Sequence, residues 1–159
     1  MKKTLNAAVA AVLLSLGGAA SADDGVIRIG FITDMSGLSA DADGPGGAEA
    51  IKMAVADMGG AVAGKKIEVL VADHQNRADI ASSRAREWLD QKGVDMLIAG
   101  ANSAAALAMA KVAEEKKTPF FVVSAGASEL TNAQCTPYTV HYVYDTVSLS
   151  RGTARAMLK

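Results

Sequence analysis

Hydrophobic positions along this chain fall into two alternating patterns. Five short runs rich in β-branched and other apolar residues are typical of buried strands and stand at 26–33, 66–73, 95–99, 119–124 and 138–144. Apolar residues recur instead at helical spacing in the segments 48–58, 78–91, 103–117 and 146–159. We expect Gly93 to end the second of these helices, whose buried stripe is Ile80, Ala81, Ala85, Trp88 and Leu89. Alternating strands and helices predict an α/β fold with a parallel, Rossmann-like sheet covered on both faces. We expect a doubly wound strand order that reverses next to the first strand.

This fold predicts where a ligand binds before any chemistry is considered. In open parallel sheets, ligands lie beyond the carboxyl ends of the strands. Five segments follow strand ends and are therefore candidate site segments: 35–46, 74–77, 100–103, 125–129 and 144–145. Asp41, His74 and Asp145 are the charged or titratable members of these segments that we count as further candidates.

Asn102 and Ser103 stand where a strand end leads directly into a helix. Both residue types are strong N-caps, so one of them is expected to cap the helix. A helix start also presents free backbone N–H groups and partial positive charge, which suit a carboxylate or a phosphate. We therefore predict a ligand-binding role here in addition to capping.

The segment after the fourth strand is built from small residues, Ala125, Gly126, Ala127 and Ser128. Small residues let a ligand approach the backbone closely, and the Ser128 hydroxyl can donate or accept a hydrogen bond. The alternative is a plain strand-to-helix connection without a ligand.

Three tyrosines in the fifth strand segment share one face because their spacing is even: Tyr138, Tyr142 and Tyr144. Such a stripe is typical of a core. Tyr144 differs because it ends the segment, where its ring and hydroxyl can face a ligand.

Composition and missing motifs exclude several function classes. The formal net charge is −1 and the basic residues are scattered, which argues against a nucleic-acid partner. Gly44-Pro-Gly-Gly47 fails as a dinucleotide fingerprint because Glu49 stands where the third glycine belongs, and no P-loop occurs. No Gly-x-Ser-x-Gly elbow is present, and two histidines with one cysteine give no metal-ligand spacing. We predict no catalytic residue, no metal and no cofactor.

Residues 1–22 have the three parts of a secretory signal peptide. A basic start precedes an apolar stretch, and Ala20-Ser21-Ala22 supplies the small residues that signal peptidase reads. The apolar stretch is shorter than the roughly 20 residues that span a bilayer, which disfavours a membrane anchor. We expect cleavage after Ala22 and export of residues 23–159 as one soluble domain.

The other end of the sequence predicts a chain that continues. No Gly, Asn or Pro closes the final helical segment before Lys159, so we expect the first part of a longer protein. Cys135 is the single cysteine. It is either a quiet free thiol or a residue whose partner lies beyond Lys159.

Taken in order, several stretches resemble the periplasmic substrate-binding proteins of ABC importers, in the leucine/isoleucine/valine-binding group. The matching stretches are 29–37, 47–53, 71–76, 85–89, 102–103, 128–131 and 138–146. The resemblance implies two Rossmann-like lobes that close on a small-molecule ligand, and residues 23–159 would be the incomplete first lobe. It also implies a periplasmic, monomeric protein that delivers this ligand to a permease in the inner membrane.

Site roles also follow from this resemblance. In amino-acid binders, the position of Ser103 holds the carboxylate, and the positions around Gly126 and Ser128 hold the amino group. Here that second loop is about two residues shorter, and Ser39 and Ala42 are small where relatives place an aromatic residue. The stretches 41–47 and 135–137 resemble a subgroup associated with other small organic solutes, including aromatic acids. A ligand-sensing domain and, less simply, an exported α/β enzyme are the alternatives.

Overall fold

The structure, a computed structural model, describes residues 24–158, so the expected signal peptide at 1–22 lies outside the described residues. The strands are β1 (Val26–Thr33), β2 (Ala61–Val62), β3 (Lys65–Asp73), β4 (Met96–Ala99), β5 (Phe120–Val122) and β6 (Thr139–His141). The helices are α1 (Ala40–Asp43), α2 (Pro45–Asp57), α3 (Ala78–Glu87), α4 (Ser103–Lys116) and α5 (Thr146–Met157). A π-helical turn (Trp88–Lys92) extends α3, and a 3-10 turn (Ser128–Thr131) follows β5.

All six described strands form one sheet in the order β2-β3-β1-β4-β5-β6. Every pairing is parallel except that of β2 with β3. The order reverses at β1, which lies between β3 and β4. This confirms the doubly wound α/β fold and places the switch point, where ligands bind in such sheets, at the ends of β1 and β4.

The two faces of the sheet are covered to different extents. On one face, Ala81 and Ala85 of α3 and Met109 of α4 join the large core with Phe120 and many other buried side chains. On the other face, the buried cluster is small and consists of Phe31, Ala48 and Ile98. Val123 and Val140 remain 37% and 45% exposed there.

Small residues in α3 and α4 explain why these helices cover one face of the sheet more completely. The alanines of α3 and α4 let the two helices approach each other and the sheet closely. Gly93 has φ +62° and ends the π-helical turn, so the predicted stop at this glycine is confirmed. In the apolar stripe predicted for residues 78–91, Ala81, Ala85 and Trp88 are buried, whereas Ile80 and Leu89 are half-buried.

The predicted loop between β1 and the first long helix is wrong in detail. It contains the short helix α1, and α2 begins at Pro45 instead of Ala48. Proline is favoured in the first turn of a helix because the missing N–H has no intrahelical partner there. The two-residue strand β2 was also missed, since short hairpin strands carry little periodicity.

The fifth strand segment was predicted too long, and the tyrosine stripe is not a core. Only Thr139–His141 pairs with β5. Tyr142 and Tyr144 are 78% and 56% exposed. A period of two shows which side chains share a face but not whether another element covers that face.

Two further observations concern the end of the last helix and the length of the apolar helices. α5 ends at Met157 with Leu158 as its C-cap, and Lys159 lies outside the described residues. None of the helices within residues 24–158 is long and apolar enough to cross a bilayer.

Candidate functional site

Strand register brings the carboxyl ends of five strands to one edge of the sheet. Thr33 pairs with Asp73, and Ala99 pairs with both Ile32 and Val122, which in turn pairs with His141. The candidate site segments therefore follow one another along this edge in the order of β3, β1, β4, β5 and β6. We call the segments after β3, β1 and β4 the first half of the site and those after β5 and β6 the second half.

Asp34 holds the loop that follows β1. Its carboxylate is fully buried and accepts hydrogen bonds from the backbone N–H groups of Gly37 (2.9 Å) and Ser39 (2.9 Å). Both oxygens are thus used to fold the loop back on itself just before α1. Sequence reasoning missed this role, although an aspartate directly after a strand is a frequent loop-folding residue.

Asp73 connects the loop after β3 to the loop after β1. Its carboxylate accepts from the N–H groups of Met35 (3.0 Å) and Gln75 (2.7 Å) and from the Ser36 hydroxyl (2.6 Å). Burial raises the pKa of Asp73, but these hydrogen bonds outweigh it and hold that pKa below its ordinary value. The ionised form is therefore the one that ties the two loops together.

His74 is buried beneath the same loops, with 1% of its surface exposed. Its Nδ1 accepts a hydrogen bond from the backbone N–H of Asn76 (3.0 Å), so the proton of the neutral ring is on Nε2. Burial lowers the pKa of His74, and this effect exceeds the opposite effect of three nearby carboxylates, those of Asp34, Asp73 and Asp43. His74 thus supports the loop from below, and its ring does not project into the cleft.

Asp34, Asp73 and His74 lie close enough together to suggest a metal centre, since one ligand atom from each falls within 4.8 Å of the others. However, all four carboxylate oxygens already accept hydrogen bonds from the loops, as does Nδ1 of His74. A metal ion would have to share these oxygens with the N–H and hydroxyl donors of the loops and would have to displace the hydrogen bond at Nδ1 of His74. The donor set therefore fits a loop-folding cluster better than a metal site.

Asn102 caps α4 and also contacts the loop after β3. Its Oδ1 accepts from the backbone N–H of Ala105 (2.8 Å), which confirms the predicted cap. Its Nδ2 donates to the carbonyl oxygen (3.4 Å) and to Oδ1 of Asn76. Both ends of this amide are used within the protein, so its main task is to hold the start of α4.

Ser103 is the first residue of α4 and keeps its polar groups available. Its hydroxyl makes no hydrogen bond within the described part of the chain, and neither do the N–H groups of Ser103 and Ala104. One hydroxyl and two backbone donors at the positive end of a 14-residue helix are a set of groups that suits an anion.

Gly100 permits the close packing behind this helix start. A Cβ at this position would lie 2.5 Å from Oδ2 of Asp43 and would also overlap the Thr33 hydroxyl. That hydroxyl donates to Oδ1 of Asp43 (2.8 Å). Oδ2 of Asp43 is buried and accepts no hydrogen bond from the described residues, so it faces the Gly100 backbone at close range.

In the second half, the carbonyl oxygens of the small-residue segment accept hydrogen bonds from within the protein. The carbonyl oxygen of Ala125 accepts from Nε2 of His141 (2.7 Å), and that of Gly126 accepts from the Thr146 N–H (2.8 Å). The carbonyl oxygen of Ala127 accepts from the Leu130 N–H (3.2 Å). The Ser128 hydroxyl makes no hydrogen bond with any described residue, and neither do the backbone N–H groups of residues 125–128.

Tyr144 and Asp145 complete the second half. The ring of Tyr144 lies against Gly126, because a Cβ there would be 3.0 Å from Cε2 of the ring. The carboxylate of Asp145 accepts from the Ser148 N–H (2.7 Å) and caps α5. Asp41 belongs to the segment after β1 in the first half and is exposed in the first turn of α1.

Comparison with known protein families shows the family to which this chain belongs. The family model for periplasmic binding proteins matches residues 26–159. The chain belongs to the periplasmic binding protein family. This confirms the resemblance drawn from the sequence, and no curated protein sequence matches closely enough to refine it.

Solved structures of periplasmic binding proteins support the assignment. A periplasmic binding protein from Burkholderia mallei is 64% identical with a TM-score of 0.82, over 84% of this chain and 36% of that one. A branched-chain amino acid ABC transporter ligand-binding protein from Burkholderia xenovorans is 34% identical with a TM-score of 0.77, and the match covers 83% of this chain and 35% of that one. A solute-binding protein of an ABC transporter from Rhodopseudomonas palustris, in complex with 3,4-dihydroxybenzoic acid, is 32% identical with a TM-score of 0.68, over 77% and 33%.

These comparisons establish a coarse function class. The family and the similar structures are solute-binding proteins of transport systems, and members of the family that serve ABC importers are periplasmic. The chain spans about a third of the length of the solved structures that it matches.

Proposed function

We propose that this chain supplies the carboxylate-binding lobe of a periplasmic solute receptor, which delivers a small monocarboxylate to an ABC permease in the inner membrane. An aromatic acid is the ligand that the site fits best. A second lobe closes over the ligand, and no bond of the ligand is made or broken. The receptor acts as a monomer after its signal peptide is removed at Ala22.

The start of α4 is the observation that carries this proposal. The Ser103 hydroxyl and the two unused N–H groups next to it form a set of donors at the switch point of the sheet. Hydrogen bonds to a charged group contribute about 1.5–3 kcal/mol each. This set can therefore hold a carboxylate without a cationic side chain.

The charges around the site favour a ligand with a single negative charge. Among the described strand-end segments, the one arginine, Arg77, is paired with Asp79 at 2.5 Å. His74 is buried with a lowered pKa and adds no positive charge at neutral pH. The remaining charged groups in these segments are carboxylates, which repel the second carboxylate of a dicarboxylic acid: those of Asp41, Asp43, Glu129 and Asp145.

The second half of the site favours an aromatic acid over an amino acid. The ammonium group of an amino acid needs acceptors, and the carbonyl oxygens of Ala125, Gly126 and Ala127 each already accept one hydrogen bond, which leaves each oxygen a single lone pair for a ligand. The half-exposed ring of Tyr144 offers instead a face on which another ring can stack. The relative that holds 3,4-dihydroxybenzoic acid supports the same class of ligand.

A binding screen tests the ligand class. Benzoate, phthalate, leucine and benzamide are titrated into the chain, and binding is followed by NMR amide shifts. We expect benzoate to bind most tightly, phthalate to be weakened by its second charge, and benzamide to bind least because it has no carboxylate. If leucine bound most tightly, the ligand class would be an amino acid and not an aromatic acid. Binding of none of the four compounds would contradict the proposal.

Matched serine variants test the assigned position. Ser103→Ala should weaken benzoate binding about tenfold or more, which corresponds to one lost charged hydrogen bond. Ser83→Ala, on the exposed side of α3, should change it by less than about twofold. Benzoate recovered chemically unchanged after long incubation would support a receptor, whereas its conversion would favour an enzyme.

A further inference from the structure

The loop between β3 and α3 has an unusual backbone. Gln75 and Asn76 follow each other with φ of +52° and +57°, in the left-handed region that residues other than glycine rarely adopt. Such conformations cost free energy and persist where the surrounding structure needs them. Asparagine tolerates this region better than most residues, because its short polar side chain bonds locally.

The side chain of Asn76 explains what this conformation achieves. It places Oδ1 and the backbone carbonyl oxygen of Asn76 against Nδ2 of Asn102. The other end of the Asn102 amide then accepts from the Ala105 N–H at 2.8 Å. The segments after β3 and β4, which lie on either side of the segment after β1, are thereby joined through one amide.

We propose that Asn76 is a positioning residue, which fixes the orientation of Asn102 and of the first turn of α4, and is itself held by the imidazole of His74. This inference rests on the proposed function, because the first turn of α4 is where the carboxylate binds. Asn76 does not contact the ligand in this account. It keeps the N–H groups of Ser103 and Ala104 aimed at one point.

An exposed contact of this kind affects binding more than stability. Asn76 is exposed, so water can replace its hydrogen bonds when they are lost, at little cost to folding. An unrestrained Asn102 amide can rotate, however, and the helix start then loses its fixed direction. Donors that are fixed before the ligand arrives bind it more tightly than donors that must be ordered.

His74 makes this arrangement sensitive to acid. Nδ1 of His74 accepts from the Asn76 N–H only while the ring is neutral. The groups that face the ring are the carboxylates of Asp34, Asp73 and Asp43, which raise the pKa of His74, and burial, which lowers it by more. Because the folded pKa lies below the unfolded value of 6.5, the contribution of His74 to stability is complete above pH 6.5 and declines as the pH falls towards the folded pKa.

Two glycine variants separate the side chain from the strained backbone. Asn76→Gly relieves the left-handed strain but removes the contact with Asn102. Gln75→Gly relieves the same kind of strain next to it and leaves that contact in place, so it is the matched control. Both variants should unfold at or above the urea concentration of the wild type.

Benzoate affinity is the first measurement. We expect Asn76→Gly to weaken binding by about two- to tenfold, the range of one neutral hydrogen bond, and Gln75→Gly to leave it within about twofold. Asn102→Ser keeps an N-cap but lacks Nδ2. Asn76→Gly combined with Asn102→Ser should weaken binding no further than the weaker-binding single variant, whereas fully additive losses would overturn the positioning role.

A pH series and a ligand-free measurement complete the test. Benzoate affinity of the wild type should fall as His74 gains its proton, and the imidazole NMR signals of His74 monitor this protonation. In Asn76→Gly, benzoate affinity should not change with the protonation of His74. Without ligand, amide exchange at Ala105 should be faster in Asn76→Gly and unchanged in Gln75→Gly; equal rates would overturn the inference. If benzoate does not bind the wild type, the proposed function fails, and the exchange rates alone decide the role of Asn76.

Discussion

The two halves of the candidate site are built differently. In the first half, the side chains of Asp34, Asp73 and Asn102 hold three loops through hydrogen bonds. Asp73 joins the loop after β3 to the loop after β1, and Asn102 joins the loop after β4 to the loop after β3. In the second half, backbone carbonyls accept single bonds and a half-exposed tyrosine ring lies on Gly126. The difference suggests a division of tasks: a rigid half that holds the constant carboxylate and an adaptable half that meets the variable part of the ligand.

The largest expected effect comes from removing the buried carboxylate of the first half. Asp34→Ala deletes two hydrogen bonds to a charged group, and should lower the free energy of unfolding by about 3–6 kcal/mol in urea titrations. Asp41→Ala, on the exposed side of α1, is the control and should change it by less than about 0.5 kcal/mol. A loss below about 1 kcal/mol for Asp34→Ala would show that the first half is not held by this residue.

Adding one methyl group to each half compares their rigidity directly. In Gly100→Ala, the new Cβ meets Asp43 and Thr33 behind the helix start, and we expect a loss of about 1–3 kcal/mol or more. In Gly126→Ala, the new Cβ meets the ring of Tyr144, which is half exposed and can move aside, so the loss should stay below about 1 kcal/mol. Equal losses in thermal or urea unfolding would remove the distinction between the halves.

The helix cap of the second half should have an intermediate effect. Asp145→Ala removes the hydrogen bond to the Ser148 N–H at the start of α5 and should cost about 1 kcal/mol. Asp145→Ser keeps a cap and should recover most of this loss. The measurement is urea unfolding of the two variants, and an Asp145→Ser variant as unstable as Asp145→Ala would assign the effect to lost charge instead of capping.

The smallest expected effect on stability is that of the exposed tyrosine. Tyr144→Phe keeps the ring on Gly126 and should change the free energy of unfolding by less than about 0.5 kcal/mol. It should also leave benzoate binding nearly unchanged if the ring face is the contact, whereas Tyr144→Ala should weaken it. A strong effect of Tyr144→Phe on binding would assign the contact to the hydroxyl.

Sequence patterns predicted the parts of the molecule that depend on residues close together in the sequence. The long strands, the start of α4 at Ser103 and the cap at Asn102 follow from periodicity and residue type. Gly93 marked the end of its helical segment for the same reason, since a left-handed residue is needed there.

The missed features depend on contacts between segments distant in sequence. Asp73 binds Met35, and Asn102 binds Asn76, over separations of 38 and 26 residues. No local pattern announces such contacts, and the left-handed backbone of Gln75 and Asn76 has no glycine to signal it. The exposure of Tyr142 was missed because a face shared along a strand does not reveal what covers it.

The most direct test of the carboxylate site is an NMR titration of the chain with benzoate, in which every backbone amide is followed. The account predicts that the largest shifts occur at the amides of Ser103 and Ala104, and that Ser103→Ala weakens binding while Ser83→Ala does not. Shifts centred elsewhere, or an unchanged affinity in Ser103→Ala, would contradict the proposal that the start of α4 holds the ligand.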